Sequence, residues 1–114
     1  MAIDKMLLAG STSLLLLKLL SEQDMYGYQM VATLRERSDH TFDYKAGTLY
    51  PILHTLEQKG YVEARNEAAE TGRAKRWYHL TDAGRAQLAA KETEWRVFSG
   101  AVTKVLVLPE KFAD

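Results

Sequence analysis

The chain has 114 residues, 46% hydrophobic and 26% charged, a balance that suits a single globular domain and excludes a disordered one. Its 15 basic and 15 acidic side chains give a formal net charge of zero, so any attraction to nucleic acid must be local. Without cysteine, disulfides, zinc–thiolate centres and a cysteine nucleophile are excluded, and a reducing cytoplasm is the expected location.

Leu14-Leu15-Leu16-Leu17-Lys18-Leu19-Leu20 is too short to span a bilayer, is broken by Lys18, and has no small-residue cleavage site after it. It reads as a helix buried in the core, capped by Ser11, Thr12 or Ser13 and running to about Ser21. A second helix is expected over 26–37, with Gly27, Met30, Val31 and Leu34 inward and Gln29, Thr33, Arg35 and Glu36 toward water. Residues 38–44 form a polar connector. A third helix follows over 45–60, its apolar stripe made by Ala46, Leu49, Ile52, Leu53 and Leu56. The opposite face carries Gly47, Pro51, His54, Thr55 and Gln58, flanked by Thr48 and Tyr50. Pro51 is read as lying in the first turns, where a missing N–H is tolerated, and Gly60 as the left-handed stop. Two readings of this helix stand: an ordinary amphipathic helix, or one whose polar face enters a DNA major groove.

Beyond Gly60 the apolar period shortens to two, predicting strands over 61–65 and 75–80 joined by a mobile loop over 66–74. Val62 and Ala64 share one strand face, as do Tyr78 and Leu80. Three helices and a hairpin make a winged helix-turn-helix: a mainly α fold with a small β wing. Thr81 or Asp82 caps a long last helix over 83–106, and Pro109 ends the regular structure. Leu88, Trp95 and Val102 are spaced by heptads, with Phe98 and Val105 interleaved and Lys91 interrupting. Such a seam asks for a partner helix, and a second copy of the chain is the economical one. The expected division is a winged helix-turn-helix over 1–82 and a dimerisation helix over 83–108, in one compact unit.

Several blocks together resemble one family. Gly47-Thr48-Leu49-Tyr50-Pro51-Ile52-Leu53, with Leu56-Glu57-Gln58-Lys59-Gly60-Tyr61-Val62, is similar to the recognition-helix motif of PadR-type transcriptional regulators. Tyr26-Gly27-Tyr28 resembles their second-helix motif. Gly72-Arg73 and the run from Lys75-Arg76-Trp77-Tyr78 through His79-Leu80-Thr81-Asp82-Ala83-Gly84 resemble the wing and the start of the last helix. The likeness extends from about Leu14 to Gly84, and the single C-terminal helix resembles the family's compact branch. It implies a homodimeric repressor that binds an inverted repeat of double-stranded DNA near a promoter, in a family whose members are often released by a small aromatic or cationic compound.

On that resemblance Thr48, Tyr50, Pro51 and His54 sit where the helix meets base edges or phosphates. Lys45 and the helix N-terminus favour a phosphate, and Arg73, Lys75 and Arg76 form a basic cluster on the wing, weakened by Glu67 and Glu70. Tyr26 and Tyr28 can hydrogen-bond phosphate, with core packing the alternative; His54 reads as a base contact or as a solvated side chain, and Arg73 as a DNA contact or a solvated loop tip. Trp95 and Phe98 either fill the dimer interface or sandwich an aromatic or cationic effector.

Nothing in the chain suggests an enzyme, a metal or a cofactor. His40, His54 and His79 show no ligand spacing, and there is no phosphate loop or nucleophile elbow. A protein-interaction adaptor that keeps the winged-helix fold without reading DNA is the alternative to the regulator.

Overall fold

A computed structural model describes residues 3–68 and 74–109. In chain order the elements are α1 (Lys5–Glu22), β1 (Met25–Tyr26), α2 (Gly27–Arg37), α3 (Ala46–Gln58), β2 (Val62–Ala68), β3 (Ala74–Leu80) and α4 (Asp82–Leu106).

Helix α1 begins well before the expected serine and threonine caps. Asp4 is its N-cap, with Oδ1 accepting from the Met6 N–H at 2.8 Å. Ser11 and Thr12 instead donate back to the Leu8 carbonyl at 3.3 and 2.8 Å, the bonds such hydroxyls make inside a helix. The core is assembled from Leu16, Leu17 and Leu20 of α1, Met30 of α2, and Leu49 and Leu53 of α3, closed by Val62 and Leu80 from the sheet. Thr12, also buried, shares a 2.6 Å hydrogen bond with the Tyr44 hydroxyl, which ties α1 to the connector ahead of α3.

The connector after α2 turns through two left-handed residues, Asp39 (φ 49°) and His40 (φ 66°), both types that tolerate that region better than most. At the other end of α3, Gly60 (φ 79°) is the expected stop. Tyr61 N–H reaches the Leu56 carbonyl and Gly60 N–H the Glu57 carbonyl, each at 3.0 Å, which completes a Schellman motif. Pro51 does not occupy the helix start: it is the sixth residue of α3, so its missing N–H deprives the Gly47 carbonyl of its helical partner.

The sheet has three strands rather than two, in the order β1-β3-β2, all antiparallel. Met25 and Tyr26 pair with Tyr78 and Trp77 on the otherwise open edge of β3. Residues 66–68 and 74, expected in a loop, extend the ladder through Asn66↔Arg76, Glu67↔Lys75 and Ala68↔Ala74. Val62, Ala64, Tyr78 and Leu80 face the core as the period-two pattern requires.

Thr81 caps α4 by accepting from the Gly84 N–H at 3.0 Å while its hydroxyl donates to the Gly60 carbonyl at 2.6 Å. The start of α4 is therefore stitched to the turn between α3 and β2. Leu88, expected in the dimer seam, is only 7% exposed and belongs to the protomer's own core. Period-seven spacing cannot tell an inward residue of one turn from an outward one, because the helix changes neighbours along its length. The start of α4, through Leu88, thus shares the core built by the first three helices and the sheet.

Candidate nucleic-acid interface

Helices α2 and α3 form the helix-turn-helix, and burying Leu49, Leu53 and Leu56 fixes which face of α3 points out. Thr48, Pro51, His54, Thr55 and Gln58 are all exposed on it, and Tyr50 stands at its edge, 40% exposed. The ring of Tyr50 leans over Gly27 of α2, so closely that a Cβ there would lie 2.8 Å from its hydroxyl oxygen. Gly27 and Tyr50 are therefore one feature: the glycine makes room for the ring. Thr55 is turned back, donating to the Pro51 carbonyl at 3.1 Å.

An open groove of about 670 Å³ runs between Tyr28 of α2 and the Tyr44-Lys45-Ala46-Gly47 stretch that starts α3. Tyr28 is 69% exposed, which excludes core packing for it. Lys45, the N-cap of α3, is exposed beside the first N–H groups of the helix, where partial positive charge accumulates. Tyr26 differs. It is half-buried, meets Trp77 edge-on at 5.1 Å, and lies under the Lys75 ammonium at 4.5 Å from its ring centre.

The expected basic cluster on the wing is divided. Adjacent residues of a strand point to opposite faces, so Lys75 goes to the outer face over Tyr26 and Arg76 to the face that meets α3. There Nη2 of Arg76 donates to both carboxylate oxygens of Glu57 at 3.1 Å, and Nη1 donates to Asn66 Oδ1 at 3.2 Å. The Glu57 carboxylate, and secondarily the Tyr78 hydroxyl, hold the Arg76 guanidinium above the ordinary arginine range. Burial raises the Tyr78 phenol in turn, which keeps it neutral. Arg73 and Glu70 lie outside the described residues.

Two partnerships were missed by the sequence reading. Glu57 is the only charged residue of α3, and that isolation was the available hint of its role. The second is a surface triad in which Asp24 meets His79 Nδ1 at 2.8 Å and Arg65 Nη1 at 3.3 Å, tying the turn just before β1 to both wing strands. The His79 hydrogen bond, with help from Arg65, holds the Asp24 carboxyl below its ordinary value against a smaller opposing effect of burial.

The outer half of α4 leaves the domain. Trp95 is 50% and Phe98 58% exposed, their ring centres 6.3 Å apart, and Val102 and Val105 continue the same apolar surface. Met6 and Leu7 of α1, not anticipated because they precede the expected helix start, are exposed as well. Among the described residues no helix is long and apolar enough to cross a membrane, and no group of three or more His, Asp or Glu side chains can hold a metal.

The comparisons agree with this architecture. The model of the transcriptional regulator PadR-like family matches residues 16–90, from α1 to the first turns of α4. An uncharacterised protein of Lysinibacillus sphaericus is 30% identical over 89 residues, 78% of this chain and 82% of that one. A transcriptional regulator of Mycobacterium tuberculosis is 44% identical over 54 residues, 47% of this chain and 50% of the relative. A transcriptional regulator from Clostridium thermocellum superposes with a TM-score of 0.81 at 28% identity, over 90% of this chain and 97% of that one. A PadR family regulator from Eggerthella lenta gives 0.78 at 31% identity, over 90% and 88%. With the helix-turn-helix, the wing and the long terminal helix all in place, the chain belongs to the PadR-like family of transcriptional regulators.

Proposed function

We propose that the protein acts in the cytoplasm as a homodimeric repressor that docks its two α3 helices into successive major-groove segments of an inverted-repeat operator. The observation that carries this reading is the outer face of α3. It offers hydroxyl, imidazole and amide groups with no exposed lysine or arginine, and its single carboxylate is held by Arg76. A face of that kind neither repels phosphate nor binds it indiscriminately, which is what reading base edges demands. Thr48, Tyr50, Pro51 and His54 take the base-facing role. Tyr28, Lys45 and the α3 N-terminus hold a phosphate at the groove between α2 and α3. Arg73 and Lys75 add salt-dependent attraction from the wing.

Residues 1–82 supply the reading head and the outer part of 83–108 the dimer contact, through Trp95, Phe98, Val102 and Val105. Exposed aromatic surface of this extent on a small domain is costly to leave wet, which favours a second copy as its cover. Two facing Trp95–Phe98 pairs would offer flat rings for an aromatic or cationic effector, which would release the repressor by changing the separation of the two α3 helices. That separation must match one DNA turn, ~34–36 Å.

The test is a gel shift with duplex DNA from the promoter upstream of its own gene, against scrambled duplex, at two salt concentrations. Sequence preference with steep weakening in salt is expected. Equal, weak binding to both duplexes with no salt dependence would leave an adaptor in its place.

A further inference from the structure

We infer that Arg76 is a positioning residue: through Glu57 and Asn66 it sets the stance of the wing against the recognition helix, and it is not a phosphate contact. The inference rests on the DNA-reading role proposed above and refines it.

The geometry is that of a clamp. Glu57 lies in the last turn of α3, where the helix dipole disfavours a carboxylate and favours a cation. Arg76, nineteen residues on, brings a guanidinium to that helix end and occupies both carboxylate oxygens with one nitrogen. Its other terminal nitrogen reaches across the ladder to Asn66, its directly paired residue on β2. One side chain thus joins α3, β2 and β3. The position matters because the hairpin is buried only near its base: Val62, Tyr78 and Leu80 are in the core, whereas residues 65–67 and 75–76 are exposed. Beyond the last buried pair, the Arg76 fork is what fastens the hairpin to α3 among the described residues. A planar fork with fixed donors can serve two acceptors at set angles, and a lysine ammonium cannot reproduce that. A phosphate contact asks the opposite, an uncompensated charge directed outward, and Lys75 on the other strand face fits that role better.

The two readings of Arg76 predict different DNA binding. The variants are Glu57→Ala, Arg76→Ala, the double variant and Arg76→Lys, each checked for native circular dichroism and titrated against the upstream-promoter duplex across a salt series. A clamp predicts that each single alanine weakens binding about fivefold, with the double variant no weaker than either. The slope of log affinity against log salt stays at the wild-type value, and Arg76→Lys fails to restore binding. Amide exchange of the free protein at Asn66 and Trp77 should also speed up in both single variants, a readout that needs no DNA. Tighter binding by Glu57→Ala, a salt slope reduced by about one in Arg76→Ala, or full rescue by lysine would overturn the clamp and make Arg76 a shielded phosphate contact. Wild-type protein that binds no DNA would refute the proposed function alone. Exchange rates would still decide the clamp, which unchanged protection in both variants would rule out.

Discussion

Gly27→Ala separates the space that the fold needs from the space that the DNA-reading face needs. The added Cβ would sit 2.8 Å from the Tyr50 hydroxyl oxygen and 3.1 Å from Cε1 and Cζ of the ring. Comfortable carbon contacts begin near 3.5 Å, so the ring must withdraw by roughly 0.5–1 Å. It can, because those atoms are the tip of a side chain with open solvent beside it. Tilting the ring costs ~0.5–1.5 kcal/mol. Alanine offsets this with better helix propensity and a less flexible unfolded chain, ~0.4–1 kcal/mol. The net change in stability is within about 1 kcal/mol of zero, a shift of no more than about 4–8 °C in Tm. Tyr50, however, has moved on the proposed reading face. Loss of one hydrogen bond to DNA, ~1 kcal/mol, is about fivefold in Kd.

Gly84→Ala is the control for this argument. There a Cβ would collide with the Tyr61 carbonyl oxygen and the Leu80 side chain, backbone and core that cannot swing away. Overpacking against such neighbours costs about 3 kcal/mol or more, and Tm falls by roughly 10 °C or more. Thermal unfolding by circular dichroism and DNA titration on the same samples provide the comparison. If Gly27→Ala is destabilised as severely as Gly84→Ala, or binds operator as tightly as the wild type, the role given to the Gly27–Tyr50 contact is wrong.

Two further outcomes are expected. If the proposed dimer forms through the outer part of α4, Trp95→Glu should give a monomer in sedimentation at micromolar concentration while leaving the fold intact, since Trp95 is half exposed and lies outside the buried core; an unchanged mass would move the dimer contact elsewhere. Asp24 is held below its ordinary carboxyl value first by the hydrogen bond to His79, so its contribution to stability is complete above the unfolded-state value near 4 and fades as pH falls through the lower folded value. Asp24→Asn should therefore destabilise at neutral pH by less than ~1 kcal/mol, because the pair is partly solvated, and the difference should vanish in the acid limb of a pH series. A constant difference down to the lowest pH would assign the effect to packing.

How much of this was legible in the chain follows from the range over which each signal acts. The apolar stripe of α3, the Gly60 stop, the Thr81 cap and the alternation of Val62, Ala64, Tyr78 and Leu80 are consequences of spacing within one element, and all are present in the structure. Strand β1 could not be read that way, since two residues show no period and become a strand only because β3 offers them an edge. Asp4 was hidden behind three plausible caps, because a hydroxyl that can cap a helix can equally bond back inside one.

Side-chain partners are where the sequence falls silent. Local spacing determined that the chain would form a helix-turn-helix with a wing and a long apolar tail, because periodicity and capping act over a few residues. Only the tertiary structure decided that Leu88 turns inward while Trp95 turns out, that Tyr50 rests on Gly27, and that Lys75 and Arg76 part company. Each of those depends on what another element places opposite, and Glu57 and Arg76, like Asp24 and His79, become neighbours only when the chain has folded back on itself.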